Sequence, residues 1–183
     1  YHIAYLCPSM DTPFWRYMAT GVEREAEKLG NVTVTTYDSK NSADIQYTNA
    51  QDVIVKGVDG IVISPTDSAS CVAVLGLAEE AGIPVAISDI GTDSGEYVTF
   101  IKTNNLKGAE EGGKYLASLL KEGDKVAEIV GPQARQNQQD RKAGFEKGVG
   151  TANVEIVDFR QMERENRSEG ESYAQDYLTA YPD

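Results

Sequence analysis

Short apolar segments typical of β-strands recur along the first half of the chain at a nearly constant interval. They begin near residues 3, 32, 60 and 83, so successive starts lie 29, 28 and 23 residues apart. That interval holds one strand, one helix and two short connections. The spacing therefore predicts a βαβ series, which folds as a doubly wound parallel sheet of the α/β class with helices on both faces.

The segments between these strands carry the signals of helix starts and ends. Thr12 precedes a proline, which is typical of an N-cap followed by the first helical position. The apolar residues after it keep helical spacing as far as Gly30. Ser42 opens a second predicted helix, and Asp67 or Ser68 opens a third.

The same pattern continues into the second half of the chain. Further strands are predicted over residues 97–102, 126–130 and 154–159, and further helices over residues 105–120, 139–149 and 168–180. We expect two lobes, residues 1–103 and 104–183, with a hinge near residues 102–105. The second lobe holds two strands for three helices, so we expect it to be incomplete.

That shortage of sheet predicts that the 183 residues are part of a longer product, of which roughly a third is missing. The missing part would return to the first lobe and complete both sheets. The alternative is that a second copy or a separate fragment supplies the absent strands.

Composition excludes several classes of partner and chemistry. The chain has 17 basic and 29 acidic residues, and its net charge of −12 repels phosphate backbones and anionic lipid, so no nucleic-acid partner is expected. No run of about 18 apolar residues exists, so no direct membrane insertion is expected. His2 is the only histidine, which excludes a Ser/His/Asp triad, a Cys/His dyad and a multi-histidine metal site.

Ligands of parallel sheets bind at the carboxyl ends of the strands, so the residues that follow the predicted strands are the candidate site. These residues are Ser9, Asp11, Thr12, Phe14, Trp15, Ser64, Asp89, Thr103, Asn104, Asn105 and the segment 132–141. They supply aromatic faces, carboxylates, hydroxyls, amides and a guanidinium group. That mixture suits a polyhydroxylated ring, whose C–H faces pack on aromatic planes while its hydroxyls need paired donors and acceptors.

Several segments at these strand ends resemble the type 1 periplasmic binding proteins, in particular the ribose-binding-like sugar-binding components of ABC importers. The segments are Pro13-Phe14-Trp15, Ser64-Pro65-Thr66-Asp67-Ser68, Gly82-Ile83-Pro84-Val85, Ser88-Asp89, Thr103-Asn104-Asn105 with Gly108, and Arg141 with Gly144-Phe145. The resemblance covers the whole chain. It implies a periplasmic or extracellular receptor, without enzyme activity or cofactor, that closes on a monosaccharide or similar polyol and delivers it to the membrane permease of an ABC transporter.

In that family, aromatic residues after the first strand stack on the sugar, the aspartate after the fourth strand accepts from its hydroxyls, and an arginine of the other lobe closes over it. The resemblance therefore implies these ligand-binding residues: Thr12, Phe14, Trp15, Asp89, Thr103 and Arg141. Two positions depart from the pattern. Ile90 stands where pentose-binding members usually carry arginine, which argues against ribose itself. Glu165 stands where an aromatic is expected, which favours a more polar or larger ligand.

Each of these residues also has a plainer interpretation. Phe14 and Trp15 lie in the first turn of a helix and could form a hydrophobic staple. Asp89 could cap a loop turn, and Arg141 could be solvated or paired with a carboxylate. Ser64 is expected to end its strand and bond to backbone.

Two alternatives to a transport receptor stay open. The same fold could be the sugar-sensing domain of a signalling receptor or of a transcription repressor. An enzyme of flavodoxin-like architecture is less favoured, because the sequence has no usable histidine, metal cluster or glycine-rich phosphate loop. The state of Cys7 and Cys71 is also open, since either a disulfide or two buried thiols fits their positions near strand-to-helix corners.

Overall fold

The computed structural model of the protein describes residues 1–163 and 165–182, and these residues form seven strands and six helices. The chain divides into two compact units, Tyr1–Lys102 and Thr103–Asp183. Both units combine parallel strands with helices, which confirms the α/β class predicted from the spacing of the apolar segments.

The first unit contains five strands and three helices. The strands are β1 (His2–Cys7), β2 (Thr33–Asp38), β3 (Gly60–Ile63), β4 (Val85–Ser88) and β5 (Thr99–Ile101). The helices are α1 (Pro13–Leu29), α2 (Ala43–Val55) and α3 (Ser68–Glu80). The strands form one parallel sheet in the order β2-β1-β3-β4-β5, so the chain reverses its direction of winding between β1 and β3. In open α/β sheets, ligands bind beside the carboxyl ends of the strands at this switch point.

Strand β1 shows why the helices cover both faces of this sheet. Tyr5 and Cys7 pack on one face against Trp15 of α1, whereas the alternating Ala4 and Leu6 pack on the other face among residues of α2 and α3. Successive side chains of a strand point to opposite faces, and here both faces are apolar and buried. The sheet is therefore doubly wound, as predicted.

The two cysteines lie in the two different core layers. Cys7 packs with α1, whereas Cys71 belongs to α3 on the opposite face of the sheet. Both are buried free thiols. Burial raises the pKa of Cys7 to about 11 and that of Cys71 to about 12. The structure therefore favours the buried thiols among the two alternatives that the sequence left open.

Helix starts in the first unit follow the predicted capping residues. Ser42 Oγ accepts a hydrogen bond from the Ile45 amide at 3.3 Å, and Asp67 Oδ1 accepts one from the Ser70 amide at 2.7 Å. Thr12 occupies the N-cap position of α1, but its hydroxyl forms no capping bond. Gly30 ends α1 with a φ of 74°, a conformation that glycine adopts without a steric penalty.

The second unit contains α4 (Asn105–Ala117), β6 (Lys125–Val130), α5 (Gln136–Val149), β7 (Glu155–Gln161) and α6 (Arg167–Ala180). Strands β6 and β7 pair in parallel. Helices α4 and α5 pack closely through glycines, because a Cβ on Gly144 would overlap the Leu106 carbonyl and one on Gly148 would overlap the Glu110 carbonyl. None of the described helices combines the length and the apolar character that a bilayer crossing requires.

Two helix limits in the second unit differ by three residues from the sequence prediction. Helix α4 ends at Ala117 instead of residue 120, since the chain already turns at Ser118. Helix α5 begins at Gln136 instead of residue 139, with Arg135 in an extended conformation at the N-cap and no side-chain capping bond. The first turn of α5 is polar and lacks a typical capping residue, so neither apolar spacing nor a cap signal marks its start.

Candidate functional site

Loops that follow β1 and β4 carry the predicted ligand-binding residues of the first unit. Ser9 is buried, and its Oγ accepts a hydrogen bond from the Asp11 amide at 3.2 Å, which shapes the turn into α1. Thr12 follows in an extended conformation and is half-buried. Its hydroxyl forms no capping bond to the helix.

The two aromatic residues to which the resemblance gives the same role differ in their exposure. Phe14 is 47% exposed, whereas Trp15 is 6% exposed and packs with Tyr5, Ala19 and Ile90 in the core. The two rings meet edge to face, with centroids 4.8 Å apart and an angle of 77° between their planes. Phe14 therefore presents the exposed aromatic face, and Trp15 supports it from the core side.

Asp89 directly follows β4 and adopts a left-handed backbone conformation, with a φ of 64°. Its amide donates to the Ile101 carbonyl at 2.9 Å, and the Ile90 amide donates to the Ser88 carbonyl at 2.8 Å. A non-glycine residue is uncommon in this region, although aspartate tolerates it better than most. Such a conformation persists where the surrounding structure enforces it, and it is found frequently at binding sites.

The Ser64 hydroxyl does not bond to backbone as the sequence predicted. Its amide donates to the Leu6 carbonyl at 2.9 Å, but its hydroxyl bonds to two other hydroxyls instead of to backbone. Ser64 Oγ lies 3.0 Å from the Tyr5 hydroxyl and 2.7 Å from Ser88 Oγ. Sequence reasoning missed Tyr5 and Ser88 as partners because both lie inside strands, where their residue types predict core packing or sheet pairing.

In the second unit, Asn105 holds Arg141 in place. Asn104 caps α4, since its Oδ1 accepts from the Lys107 amide at 3.1 Å, and Asn105 begins the helix with a buried side chain. Asn105 Oδ1 accepts a hydrogen bond from Arg141 Nε at 2.8 Å, and Asn105 Nδ2 donates to the Thr103 carbonyl at 3.1 Å. The side-chain partner of Arg141 is therefore an amide and not a carboxylate, so the ion-paired alternative does not apply among the described residues.

Thr103 and Arg141 line one cavity of about 570 Å³ together with Asn105. Its apolar wall includes Ala109, Val130 and Phe145. Both predicted residues of the second unit thus meet on a common concave surface. A cavity of this size, with an apolar wall and a few polar groups, is typical of a small-molecule site.

Glu128 of β6 lines the same cavity and was missed by sequence reasoning, because it lies within a strand and not after one. The residue is 5% exposed, and its two carboxyl oxygens form no hydrogen bond within residues 1–163 and 165–182. Burial, reinforced by the charge of Glu146, raises the pKa of the Glu128 carboxyl, which Lys142 Nζ at 4.0 Å only partly offsets.

Glu165, the second departure from the family pattern, lies in the loop between β7 and α6 and contacts the start of α5. Its carboxylate forms an ion pair with the buried Arg135 guanidinium and accepts a hydrogen bond from Gln138 Nε2 at 3.0 Å. Where the resemblance implies an aromatic ring, this chain therefore has a carboxylate held by two partners. Among the described residues, no group of three or more His, Cys, Asp or Glu side chains is arranged to hold a metal ion.

A family model described as the periplasmic binding protein domain matches residues 3–183. The chain therefore belongs to this family, which confirms the resemblance to its ribose-binding-like, type 1 members. It is 31% identical over 181 residues to the ribose import binding protein of Escherichia coli and 32% identical over 190 residues to the D-ribose/D-allose-binding protein of Pseudomonas aeruginosa. These alignments cover 99% of the chain and 60% and 59% of the two relatives.

Solved structures show the same fold. An ABC transporter solute-binding protein from Mycobacterium smegmatis with bound glycerol superposes with a TM-score of 0.89, at 29% identity over all of this chain and 63% of that one. The fructose-binding periplasmic domain of a hybrid two-component system superposes with a TM-score of 0.92 at 23% identity, covering all of this chain and 60% of that one. The chain thus spans less than two thirds of the length of each of these proteins.

Proposed function

We propose that the protein binds a monosaccharide or similar polyol outside the cytoplasm and delivers it to the permease of an ABC transporter. Membership of the periplasmic binding protein family supports the class of function. The observation that carries the ligand assignment is Asp89, a carboxylate at the carboxyl end of a buried strand, held in a left-handed turn. A carboxylate there can accept hydrogen bonds from two neighbouring hydroxyls of one sugar.

The first unit supplies an aromatic face beside this acceptor. Phe14 exposes its ring at the start of α1, and Ile90, which follows Asp89, belongs to the same core cluster as Trp15 behind Phe14. A sugar ring stacked on Phe14 would bury C–H groups, while Thr12 and Asp89 bind its hydroxyls. This arrangement supports a cyclic polyol over a linear or an apolar ligand.

The second unit supplies hydrogen-bond donors. Arg141 is held through Nε by Asn105, so the two terminal nitrogens of its guanidinium group are available to a ligand. A guanidinium held in this way donates to two hydroxyl oxygens at once. Thr103 adds a hydroxyl on the wall of the cavity that Arg141 also lines.

The two departures from the family pattern support a ligand other than ribose. Ile90 is fully buried, so position 90 offers no polar group where pentose-binding members carry an arginine. Glu165 offers an ion-paired carboxylate in place of an aromatic face. We therefore propose a sugar or polyol that is larger or more polar than ribose.

A thermal-shift panel tests the proposal. The probes are D-ribose, D-allose, D-apiose, D-fructose, L-arabinose and myo-inositol. A true ligand at 100 times its Kd should stabilise the protein by about 2.7 kcal/mol and so raise Tm by several degrees. Asp89→Asn should abolish that rise, because it removes the charged acceptor while asparagine still tolerates the left-handed turn.

Asp52→Asn is the matched control, since Asp52 is an exposed aspartate of α2 in the same unit. This variant should keep the full rise in Tm. A panel in which no sugar or polyol raises Tm would contradict the ligand class. A rise that survives Asp89→Asn would contradict the role of Asp89.

A further inference from the structure

We propose that three buried hydroxyl groups, those of Tyr5, Ser64 and Ser88, position Asp89 for ligand binding. They are called the hydroxyl chain below. The inference rests on the proposed function, because it assigns these residues a role through the carboxylate that we propose binds the sugar. None of the three is expected to contact the sugar itself, since all three side chains are buried.

The hydroxyl chain connects three neighbouring strands of the first sheet. Tyr5 of β1 lies 3.0 Å from Ser64, which directly follows β3, and Ser64 lies 2.7 Å from Ser88 of β4. Ser88 Oγ in turn donates to the Ile63 carbonyl at 3.4 Å. When Ser88 donates to that carbonyl, Ser64 donates to Ser88 and Tyr5 donates to Ser64, so each hydroxyl proton has an acceptor.

A second set of bonds fixes the middle of the hydroxyl chain. Gln46 of α2 is buried, and its Nε2 donates to the Ser64 carbonyl at 3.0 Å. Its Oε1 accepts from the Thr66 amide at 2.9 Å. The segment that carries Ser64 is therefore held on both sides of Pro65, and the Ser64 hydroxyl has a defined position from which to bond Ser88.

Both neighbours of Asp89 in the chain contact residues of the hydroxyl chain. Ser88, before it, is held by its hydroxyl, and Ile90, after it, is fully buried in the core cluster that contains Tyr5. Asp89 lies between them in the left-handed region. Because such a conformation needs support from its surroundings, fixing both neighbours also fixes the direction of the carboxylate.

The hydroxyl chain stays uncharged beside that carboxylate. Burial raises the pKa of Tyr5 far above its ordinary value of 10.0, and the nearby charge of Asp89 acts in the same direction. Tyr5 therefore remains a neutral donor at physiological pH. A neutral, fully paired network can hold the turn rigid without repelling the Asp89 carboxylate.

A double-mutant cycle tests the inference, using the sugar from the panel that gives the largest rise in Tm. Tyr5→Phe removes one hydroxyl and keeps the ring, and it should weaken binding by about fivefold to tenfold, as measured by calorimetry. In an Asp89→Asn background, titrated at sugar concentrations high enough to measure its weakened binding, the same change should have no further effect, because the hydroxyl acts through the carboxylate. Ser64→Ala should reproduce this result if Tyr5→Phe lowers stability.

Tyr173→Phe is the matched control. Tyr173 of α6 is half-buried, and its hydroxyl donates to Glu169 Oε1 at 3.3 Å. Neither residue lines the cavity that holds Arg141, so the loss of this hydroxyl should leave affinity unchanged. Amide hydrogen exchange without ligand adds an independent measurement. Tyr5→Phe should accelerate exchange at Asp89 and Ile90, and Tyr173→Phe should not.

The outcomes separate the inference from the proposed function. If Asp89→Asn weakens binding but Tyr5→Phe and Ser64→Ala leave affinity within twofold, only the inference is overturned. Equal effects of Tyr5→Phe with and without the Asp89 carboxylate would also overturn it. If Asp89→Asn itself leaves affinity unchanged, the ligand assignment and the inference both fall. If no panel sugar binds, unchanged exchange at Asp89 and Ile90 overturns the positioning role.

Discussion

The Oδ1 atom of Asn105 accepts a hydrogen bond from Nε of Arg141 over 2.8 Å. Asn105 is buried at the start of α4, whereas Arg141 is an exposed residue of α5. One helix thus orients a charged group that belongs to its neighbour. Because the bond uses Nε, it restricts the side chain without occupying the terminal nitrogens that suit a ligand.

Arg141→Ala is therefore expected to weaken sugar binding by at least tenfold. Each hydrogen bond to a charged group contributes roughly 1.5–3 kcal/mol, and the exposed Arg141 side chain contributes little to folding. Calorimetric titration measures the effect. Arg167→Ala removes an exposed arginine of α6 in the same unit and should leave the sugar affinity unchanged. Affinity for Arg141→Ala within threefold of the parent would contradict the role.

Phe14 and Trp15 are expected to respond differently to substitution. Phe14→Ala should lower sugar affinity about tenfold through lost stacking, whereas Trp15→Ala should destabilise the fold by about 3–5 kcal/mol through an apolar cavity. Trp15 is the only tryptophan, so its emission should change on ligand binding through the edge contact with Phe14. Denaturant unfolding measures the loss of stability in Trp15→Ala. Fluorescence titration measures the change in emission and, from it, the sugar affinity of Phe14→Ala. A fully stable Trp15→Ala protein would contradict the core assignment.

Gly144→Ala should destabilise the second unit by several kcal/mol, since its Cβ would overlap the Leu106 carbonyl and force α4 and α5 apart. Gly112 of α4 is the matched control, because a Cβ there meets no atom within 4 Å. Gly112→Ala should be neutral or stabilising by up to about 1 kcal/mol, from helix propensity. Urea unfolding distinguishes them, and equal effects of the two changes would contradict the close helix contact.

Stability should depend on pH through Glu128. Its pKa is raised above 4.5 in the folded protein, so the folded state binds more protons than the unfolded state above that pH. The stabilising contribution of Glu128 to the free energy of unfolding is therefore fully present below pH 4.5. It is lost as the pH rises through the raised pKa. Glu128→Gln should therefore be more stable than the parent at pH 7, with the difference shrinking toward pH 4.

Glu155→Gln is the control for that measurement, because Glu155 is an exposed glutamate of the neighbouring strand β7. This variant should not reproduce the gain in stability that Glu128→Gln shows at pH 7. A pH-independent gain for Glu128→Gln would contradict the raised pKa.

Both thiols should be inert in the folded protein. Cys7 and Cys71 are fully buried, and burial raises the pKa of each, so almost no thiolate exists at pH 8. Ellman's reagent should label neither native cysteine and should label both after unfolding in the absence of reductant. Failure to label the unfolded protein would show a disulfide.

Much of the fold follows from local patterns in the sequence. The interval between apolar segments predicts the βα units, and Ser42 and Asp67 mark helix starts correctly because an N-cap is a contact between residues three positions apart. The start of α5 could not be predicted in this way. Arg135 at its N-cap forms no capping bond, and the glutamines of the first turn carry no apolar signal.

The sequence by itself determined the class of fold and the family, and it predicts ligand-binding residues at the strand ends, because these depend on periodicity and on short motifs. Only the tertiary structure decided that Phe14 is exposed while Trp15 is buried, and that Tyr5, Ser64 and Ser88 share hydrogen bonds. Adjacent helical residues differ by 100° in direction, and strands far apart in sequence meet only in the sheet. Which side chains touch therefore depends on packing that no local pattern records.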